Sequence, residues 1–203
     1  MAIQLRSQKS VQGILDAACR LFVEHSYADV SINQIASAAG LTKGAIYHHF
    51  SSKEDIYLEM LLSDLQSKKK LFCEAANVEG DAPHRLRLLT TAYFDLPERK
   101  RKLITLVRRD LHLFDGEKRQ RLVKSYQEAL PEIVEGILSD CISTRPHVDS
   151  GALDARLLSW DFVALVEVSL SPHAGRIFPA ASARIDHVLK VFFSGISSFH
   201  SER

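Results

Sequence analysis

Cysteine is too sparse to build this chain: Cys19, Cys73 and Cys141 are an odd number, far apart, with no CxxC pair. That excludes a disulfide scaffold and a zinc ribbon and fits a reducing compartment. Glycine and proline are scarce, at 9 and 6 of 203 residues, and β-branched alternation is hard to find, which speaks against an all-β or low-complexity chain. Charge of one sign is missing as well. The 26 Lys and Arg stand against 25 Asp and Glu, so a polyanion-coating protein and a disordered one are both disfavoured. Any nucleic-acid site must be local, and the one basic excess, five side chains against three in residues 1–53, is N-terminal. The most apolar stretch, Trp160 to Leu170, is too short to span a bilayer and is broken by Asp161 and Glu167. MAIQLRSQKS lacks the apolar core of a signal peptide. The expectation is a cytoplasmic protein with no membrane partner.

Catalytic signatures are absent too: no GxSxG, HExxH, P-loop or GxGxxG occurs, and carboxylates and histidines follow no acid/base spacing. No catalytic residue, metal site or cofactor is assigned. What the chain has in quantity is apolar residues recurring at three and four, which predicts an all-α protein. Ile14, Ala17, Ala18, Leu21 and Phe22 form such a stripe on a first helix over about Ser7–His25. Ser31-Ile32-Asn33-Gln34 has the form of a capping box opening a short helix to about Ala39, and Gly40 is placed to end it. Thr42 caps a third short helix carrying Ile46, Tyr47 and Phe50, and a fourth runs from about Ser51 to Ala76. Further helices are expected over Pro83–Leu96, Pro97–Phe114, Glu117–Ser143 with a kink or break at Pro131, and Leu153–Leu170. The last helix carries Ile185, Val188, Leu189, Phe192, Ile196 and Phe199 on one stripe. Loops are expected at Asn77–Pro83, Thr144–Gly151 and Ser171–Pro179.

Residues 31–50 are the informative segment, because two short helices joined by a tight glycine turn are the layout of a helix-turn-helix. Around the apolar Ile46 and Phe50, the third helix offers Thr42, Lys43, Gly44, Ala45, Tyr47, His48 and His49. Gly44 and Ala45 are small enough to bring backbone near base edges. Lys43 donates to guanine or phosphate, and Tyr47, His48 and His49 suit phosphate oxygens. Lys53 opens the next helix, whose free amides also suit a phosphate.

The run ILDAACRLFVEHSYADVSINQIASAAGLTKGAIYHHFSSKEDIYLEML resembles the N-terminal domain of the tetracycline-repressor (TetR) family of bacterial transcriptional regulators. Ala17-Ala18 with Leu21-Phe22, Ile35-Ala36 with Ala39-Gly40, Tyr47-His48-His49-Phe50 and Ser52-Lys53-Glu54 carry the likeness, over about a quarter of the chain. The resemblance implies a homodimeric repressor reading successive major grooves of a palindromic double-stranded operator and released by a small-molecule effector. Base-edge contacts then fall to Lys43, Gly44, Ala45 and Asn33, and phosphate contacts to Thr42, Tyr47, His48, His49 and Lys53. Ser26 stands where the family usually has glycine after the first helix, and it would be strained if that turn needs a left-handed residue. Ala45 stands where a threonine is common.

Domain boundaries are expected at 1–52 for the helix-turn-helix domain and 53–203 for a helical bundle that dimerises and binds the effector. Leu157, Leu158, Trp160, Val163, Ala164, Leu165 and Val168 cover more than one face of their helix, so it needs partners on both sides. With the last helix it would form an intersubunit four-helix bundle. Phe72, Tyr93, Phe94, Phe114, Tyr126 and Trp160 offer aromatic walls for a cavity or are plain core. Arg108 and His112, beside Arg109, would favour an anionic ligand if they point inward and are otherwise a solvated face. Asp161 and Glu167 are candidates for buried polarity, capping an interface or pairing with Arg156 or His187. The competing readings are a metal- or redox-responsive helical regulator and a helical interaction module that binds no DNA.

Overall fold

The computed structural model describes residues 2–143 and 154–198. Among them are eleven α-helices and no strand: α1 Ala2–Glu24, α2 Ile32–Ala39, α3 Lys43–His49, α4 Lys53–Ala76, α5 Ala82–Phe94 and α6 Glu98–Asp110 come first. A 3-10 turn at Leu111–Leu113 separates α6 from α7 Gly116–Ala129, followed by α8 Pro131–Ser143, α9 Ala155–Leu170, α10 Pro172–Ile177 and α11 Ala181–Ser198. The expected loop at 144–151, Leu153 and Phe199 lie outside the described residues. The all-α class expected from periodicity is the one observed. Pro131 breaks the helix rather than kinking it, because a proline that cannot donate is tolerated at the first position of α8. The segment Ser171–Pro179, expected as a loop, contains α10, with the Ser171 hydroxyl accepting from Ala174 N and Pro172 opening the helix. Six residues are too few to show a period.

Two compact units make up the chain: Met1–Gln66 with Pro97–Ser125, and Ser67–Leu96 with Tyr126–Arg203. In the first, Ile14, Ala17, Ala18, Phe22, Ile35 and Ile46 from α1 to α3 are fully or almost fully buried, and the α4 residues Ile56, Tyr57 and Leu61 extend the same core. Phe22 and Tyr57 rings lie 4.5 Å apart, with Tyr27 at 5.2 Å and Phe114 at 6.0 Å from Tyr57, an aromatic chain of tilted and stacked contacts. The first half of α4 is acidic and the 97–125 segment answers it. Lys118 Nζ lies 2.8 Å from Glu54 and 2.7 Å from Asp55, Arg121 pairs Glu59 at 3.1 Å, and Lys100 reaches the buried Asp64 at 3.1 Å. The Tyr57 hydroxyl donates to Asp110, which Arg109 grips through two hydrogen bonds of 2.7 Å.

These pairs make the unit acid-sensitive. The hydrogen bond from Lys118 holds the Asp55 carboxyl below its ordinary range. At Asp110 burial pushes the carboxyl up, but hydrogen bonds from Arg109 and Tyr57 outweigh it and the net shift is downward. A carboxylate depressed in the folded state contributes stability present above its unfolded value of about 3.9 and lost as pH falls through the lower folded value. The expected outcome is a melting temperature that drops below about pH 4, with Lys118→Met removing part of that drop. Thermal melts from pH 6 to pH 2.5 check it, and parallel curves for the two proteins would refute the Asp55 contribution.

In the second unit the Phe72 and Tyr93 rings pack at 5.3 Å and Phe162 meets Phe192 edge-on at 5.0 Å. Val134, Ile137, Leu138, Val163, Val166, Ile185, Val188 and Leu189 fill the space among α8, α9 and α11. Arg184 donates to the Ser169 carbonyl at 2.7 Å, near the end of α9, and its guanidinium sits 5.0 Å from the Phe94 ring centre. No helix of the described residues is long and apolar enough to cross a membrane.

Candidate nucleic-acid interface

The interface is assembled by local rules. Ser31 Oγ accepts from Gln34 N at 3.3 Å while Gln34 Oε1 accepts from Ser31 N at 2.7 Å, the reciprocal capping box that starts α2. Gly40 ends α2 at φ 68° and ψ 29°, and Leu41 N donates to Ala36 O at 2.9 Å. A side chain at Gly40 would meet no atom within 4 Å, so the constraint is conformational. Gly40→Ala is therefore expected to lower stability by about 1–2 kcal/mol, the cost of a left-handed L-residue. Urea denaturation checks it; an unchanged midpoint would mean that the turn relaxes out of the left-handed region.

Thr42 Oγ1 caps α3, accepting from Ala45 N at 3.2 Å, and Phe50 N closes the helix on Ile46 O at 3.0 Å. Ile46 and Phe50 are buried, which fixes the roll of this two-turn helix. Thr42, Lys43, Gly44, Tyr47 and His48 are consequently exposed, and Ala45 and His49 half-exposed. Asn33 is exposed on the first turn of α2. Tyr47 is 48% exposed, and the Lys43 ammonium stands 5.9 Å from its ring centre. His48 and His49 rings meet edge-on at 5.1 Å.

Lys53 has a second engagement that sequence reasoning missed. Its ammonium donates to the carbonyls of Tyr27 at 2.7 Å and Val30 at 2.9 Å, and stands 4.2 Å from the Tyr27 ring centre. The segment between α1 and α2 is thereby tied to the start of α4. Ser26 is not in the left-handed region, since no non-glycine among the described residues has positive φ. Its hydroxyl instead donates to Asp29 at 2.6 Å in a turn closed by Asp29 N on Ser26 O.

The residues proposed from sequence for a ligand fall in both units. Phe72, Tyr93 and Phe94 are buried in the second unit. Trp160, also there, is 37% exposed, with its ring 5.8 Å from that of Tyr126. Arg108 lies on the exposed side of α6 in the first unit, and His112 is exposed with Nδ1 3.0 Å from the Arg109 carbonyl oxygen. Phe114 is fully buried against Tyr57. Asp161 is exposed, and Glu167 receives the Tyr126 hydroxyl at 3.4 Å.

A compact helical domain with a capped helix, a left-handed glycine turn and a second helix held by two apolar anchors is a helix-turn-helix DNA-binding unit. Residues 14–60 match the family model of the bacterial regulatory proteins of the tetR family. The chain is 26% identical over 192 residues to the probable acrEF/envCD operon repressor of Escherichia coli K12, covering 91% of this chain and 87% of that one. Among solved structures it is similar to a transcriptional regulator from Pseudomonas aeruginosa PAO1, at TM-score 0.78 and 18% identity, over 94% of this chain and 91% of the other. It is also similar to the regulator FadR of Bacillus subtilis, solved with stearoyl-CoA, at TM-score 0.75 and 23% identity over 91% and 98% of the two chains. Residues 14–60 thus carry the N-terminal domain of the tetR-family bacterial regulatory proteins, and the rest of the chain shares the fold of the solved regulators.

Proposed function

We propose that the protein is a cytoplasmic bacterial repressor that binds a palindromic double-stranded operator as a homodimer and leaves it when a small effector binds. It is read as a regulator and not as an enzyme, with residues 1–52 reading DNA and 53–203 dimerising and sensing. The observation that carries the reading is the roll of α3: with Ile46 and Phe50 buried, Thr42, Lys43, Gly44, Tyr47 and His48 face outward together. In this reading Lys43, Gly44, Ala45 and Asn33 meet base edges, and Thr42, Tyr47, His48 and His49 meet phosphates. Lys53 keeps one ammonium N–H beyond the two given to carbonyls, which suits a phosphate next to the α4 amides.

Dimerisation is assigned to α9 and α11. Leu157 is 63% exposed, Val168 69% and Val191 45%, and Leu157, Ala164 and Val168 share one face of α9. Such apolar stripes on a single chain favour a second copy. Two recognition helices must then stand about 34–36 Å apart to enter successive major grooves. The 24-residue α4 runs unbroken from the recognition unit into the second unit, which supports its use as the lever by which an effector changes that spacing.

Selection of bound duplexes from genomic fragments with the purified protein tests the reading. A palindrome enriched at physiological salt, with affinity falling steeply as salt rises, is the expected result. A folded dimer that enriches nothing, with any copurified ligand removed, would leave an interaction module that binds no DNA. On the selected operator, Lys43→Ala is expected to cost about 1–3 kcal/mol and to relax preference at one position per half-site. Competition among single-position operator variants checks it, and uniform weakening on every sequence would assign Lys43 to phosphate instead.

A further inference from the structure

The first turn of α4 carries charges that oppose each other. Ser52 Oγ accepts from Asp55 N at 3.0 Å and Ser52 O from Ile56 N at 3.3 Å, so Lys53, Glu54 and Asp55 are the first three residues of the helix. Acidic side chains stabilise a helix start because its free amides form a region of positive potential, and the same potential draws a phosphate. Glu54 and Asp55 therefore help α4 to form and repel the anion that the operator reading brings to this turn. Lys53 does not offset them alone. One positive charge stands against two negative ones, and two of its three donors are given to the Tyr27 and Val30 carbonyls.

The offset comes from α7, inside the same compact unit. Lys118 Nζ donates to Glu54 at 2.8 Å, 64 positions away in the chain, and lies 2.7 Å from Asp55. The two carboxylates, Asp55 first, hold the Lys118 ammonium above its ordinary range, as its hydrogen bond holds Asp55 below. Tyr27 lies within reach of all four charges. The Lys53 ammonium stands 4.2 Å from its ring centre, and after burial it is Glu54 and Asp55 that push the phenol up, with Lys118 opposing them. The pairing is one end of a match between whole segments: residues 53–66 hold one Lys or Arg against four Asp and Glu, and residues 97–125 hold ten against four. Ion pairs about one-third exposed stabilise a fold only weakly, so the larger consequence of this one is the potential it leaves at the start of α4.

We propose that Lys118 is a positioning residue for DNA binding: it touches no DNA, and by offsetting Glu54 and Asp55 it lets the first turn of α4 receive a backbone phosphate on Lys53 and the free amides. With it the turn has two positive charges against two negative ones. The assignment rests on the operator reading and goes beyond it, because it gives α7, far outside residues 1–52, a part in setting affinity.

Fluorescence anisotropy of the full-length protein tests it, on a labelled duplex of arbitrary sequence at low salt, where screening is weak, and on the selected operator. Lys118→Met is expected to weaken binding about tenfold, the size of one partly exposed charge interaction in each of two protomers. Glu54→Gln with Asp55→Asn, on the native Lys118, should tighten binding at least tenfold, which damage to the fold cannot do. The same pair added to Lys118→Met should return affinity to the wild-type value or better. Charge-matched changes at exposed positions elsewhere, Lys124→Met and Glu74→Gln with Glu79→Gln, should have much smaller effects. Wild-type affinity in Lys118→Met, or equal effects at the control positions, would overturn the assignment. A triple variant as weak as Lys118→Met, with the salt slope lower by about one unit per protomer, would overturn it too, since Lys118 would then hold a phosphate itself. If Lys118→Met melts far below wild type, the carboxylate pair on native Lys118 decides, and unchanged affinity there is the overturning result. Wild-type protein that holds neither duplex would overturn the regulator reading and this assignment with it, whereas binding that ignores the carboxylate variants counts against the assignment alone.

Discussion

Tyr47→Ala is expected to lower operator affinity by two to four orders of magnitude while leaving helicity and dimerisation unchanged. The size follows from the contact chemistry. A phenol donating to a phosphate oxygen makes a hydrogen bond to a charged group, worth about 1.5–3 kcal/mol when removed. A symmetric dimer loses it twice, so the total is about 3–6 kcal/mol, or about 10²–10⁴ in the dissociation constant. The folded state has little to lose, because Tyr47 is about half exposed and the Lys43 ammonium stands 5.9 Å from its ring centre. Fluorescence anisotropy on the selected operator, far-UV circular dichroism and sedimentation together check the prediction. Loss of the dimer or of helicity would make Tyr47 a structural residue. Full affinity would place the phosphate contacts elsewhere on α3, with His48 the next exposed donor.

How much of this was legible in the sequence depends on the distance over which each device acts. The capping box of Ser31 and Gln34 and the glycine stop at Gly40 span three to six residues, and both appear where local chemistry puts them. The roll of α3 was legible for the same reason, since the apolar Ile46 and Phe50 are one turn apart. At Pro131 the sequence left kink and break open, and the structure takes the break. The second unit was less legible. Six aromatics looked alike as candidate walls, but burial separates them: Phe72 and Tyr93 are closed in by each other, Phe114 by Tyr57, and Trp160 keeps an open face. The acidic half of α4 was readable as surface, and its pairing with Lys118, Arg121 and Lys100 joins residues more than thirty positions apart.

Lys53→Met carries the second large effect, on stability and through it on DNA binding. The ammonium satisfies two carbonyls of the chain between α1 and α2, Tyr27 at 2.7 Å and Val30 at 2.9 Å. Methionine retains the apolar stem beside the Tyr27 ring and removes only the donors, so lost packing does not confuse the result. Each charge-assisted hydrogen bond is worth about 1.5–3 kcal/mol where water is excluded. The site is only partly buried and water replaces some of that, so about 2–4 kcal/mol in total is expected. Val30 is buried and directly precedes the Ser31 cap, so slackening this turn also frees the start of α2. Lys53→Arg should recover part of the stability, as a guanidinium still donates but from a longer, planar head. Urea denaturation and operator titration on the same samples separate two roles. If Lys53 works mainly through the turn, Met lowers the denaturation midpoint and Arg restores both stability and affinity. If its remaining N–H on a phosphate is what matters, the midpoint stays near wild type and the salt slope of binding falls by about one unit per protomer. An unchanged midpoint with an unchanged slope would remove Lys53 from both roles.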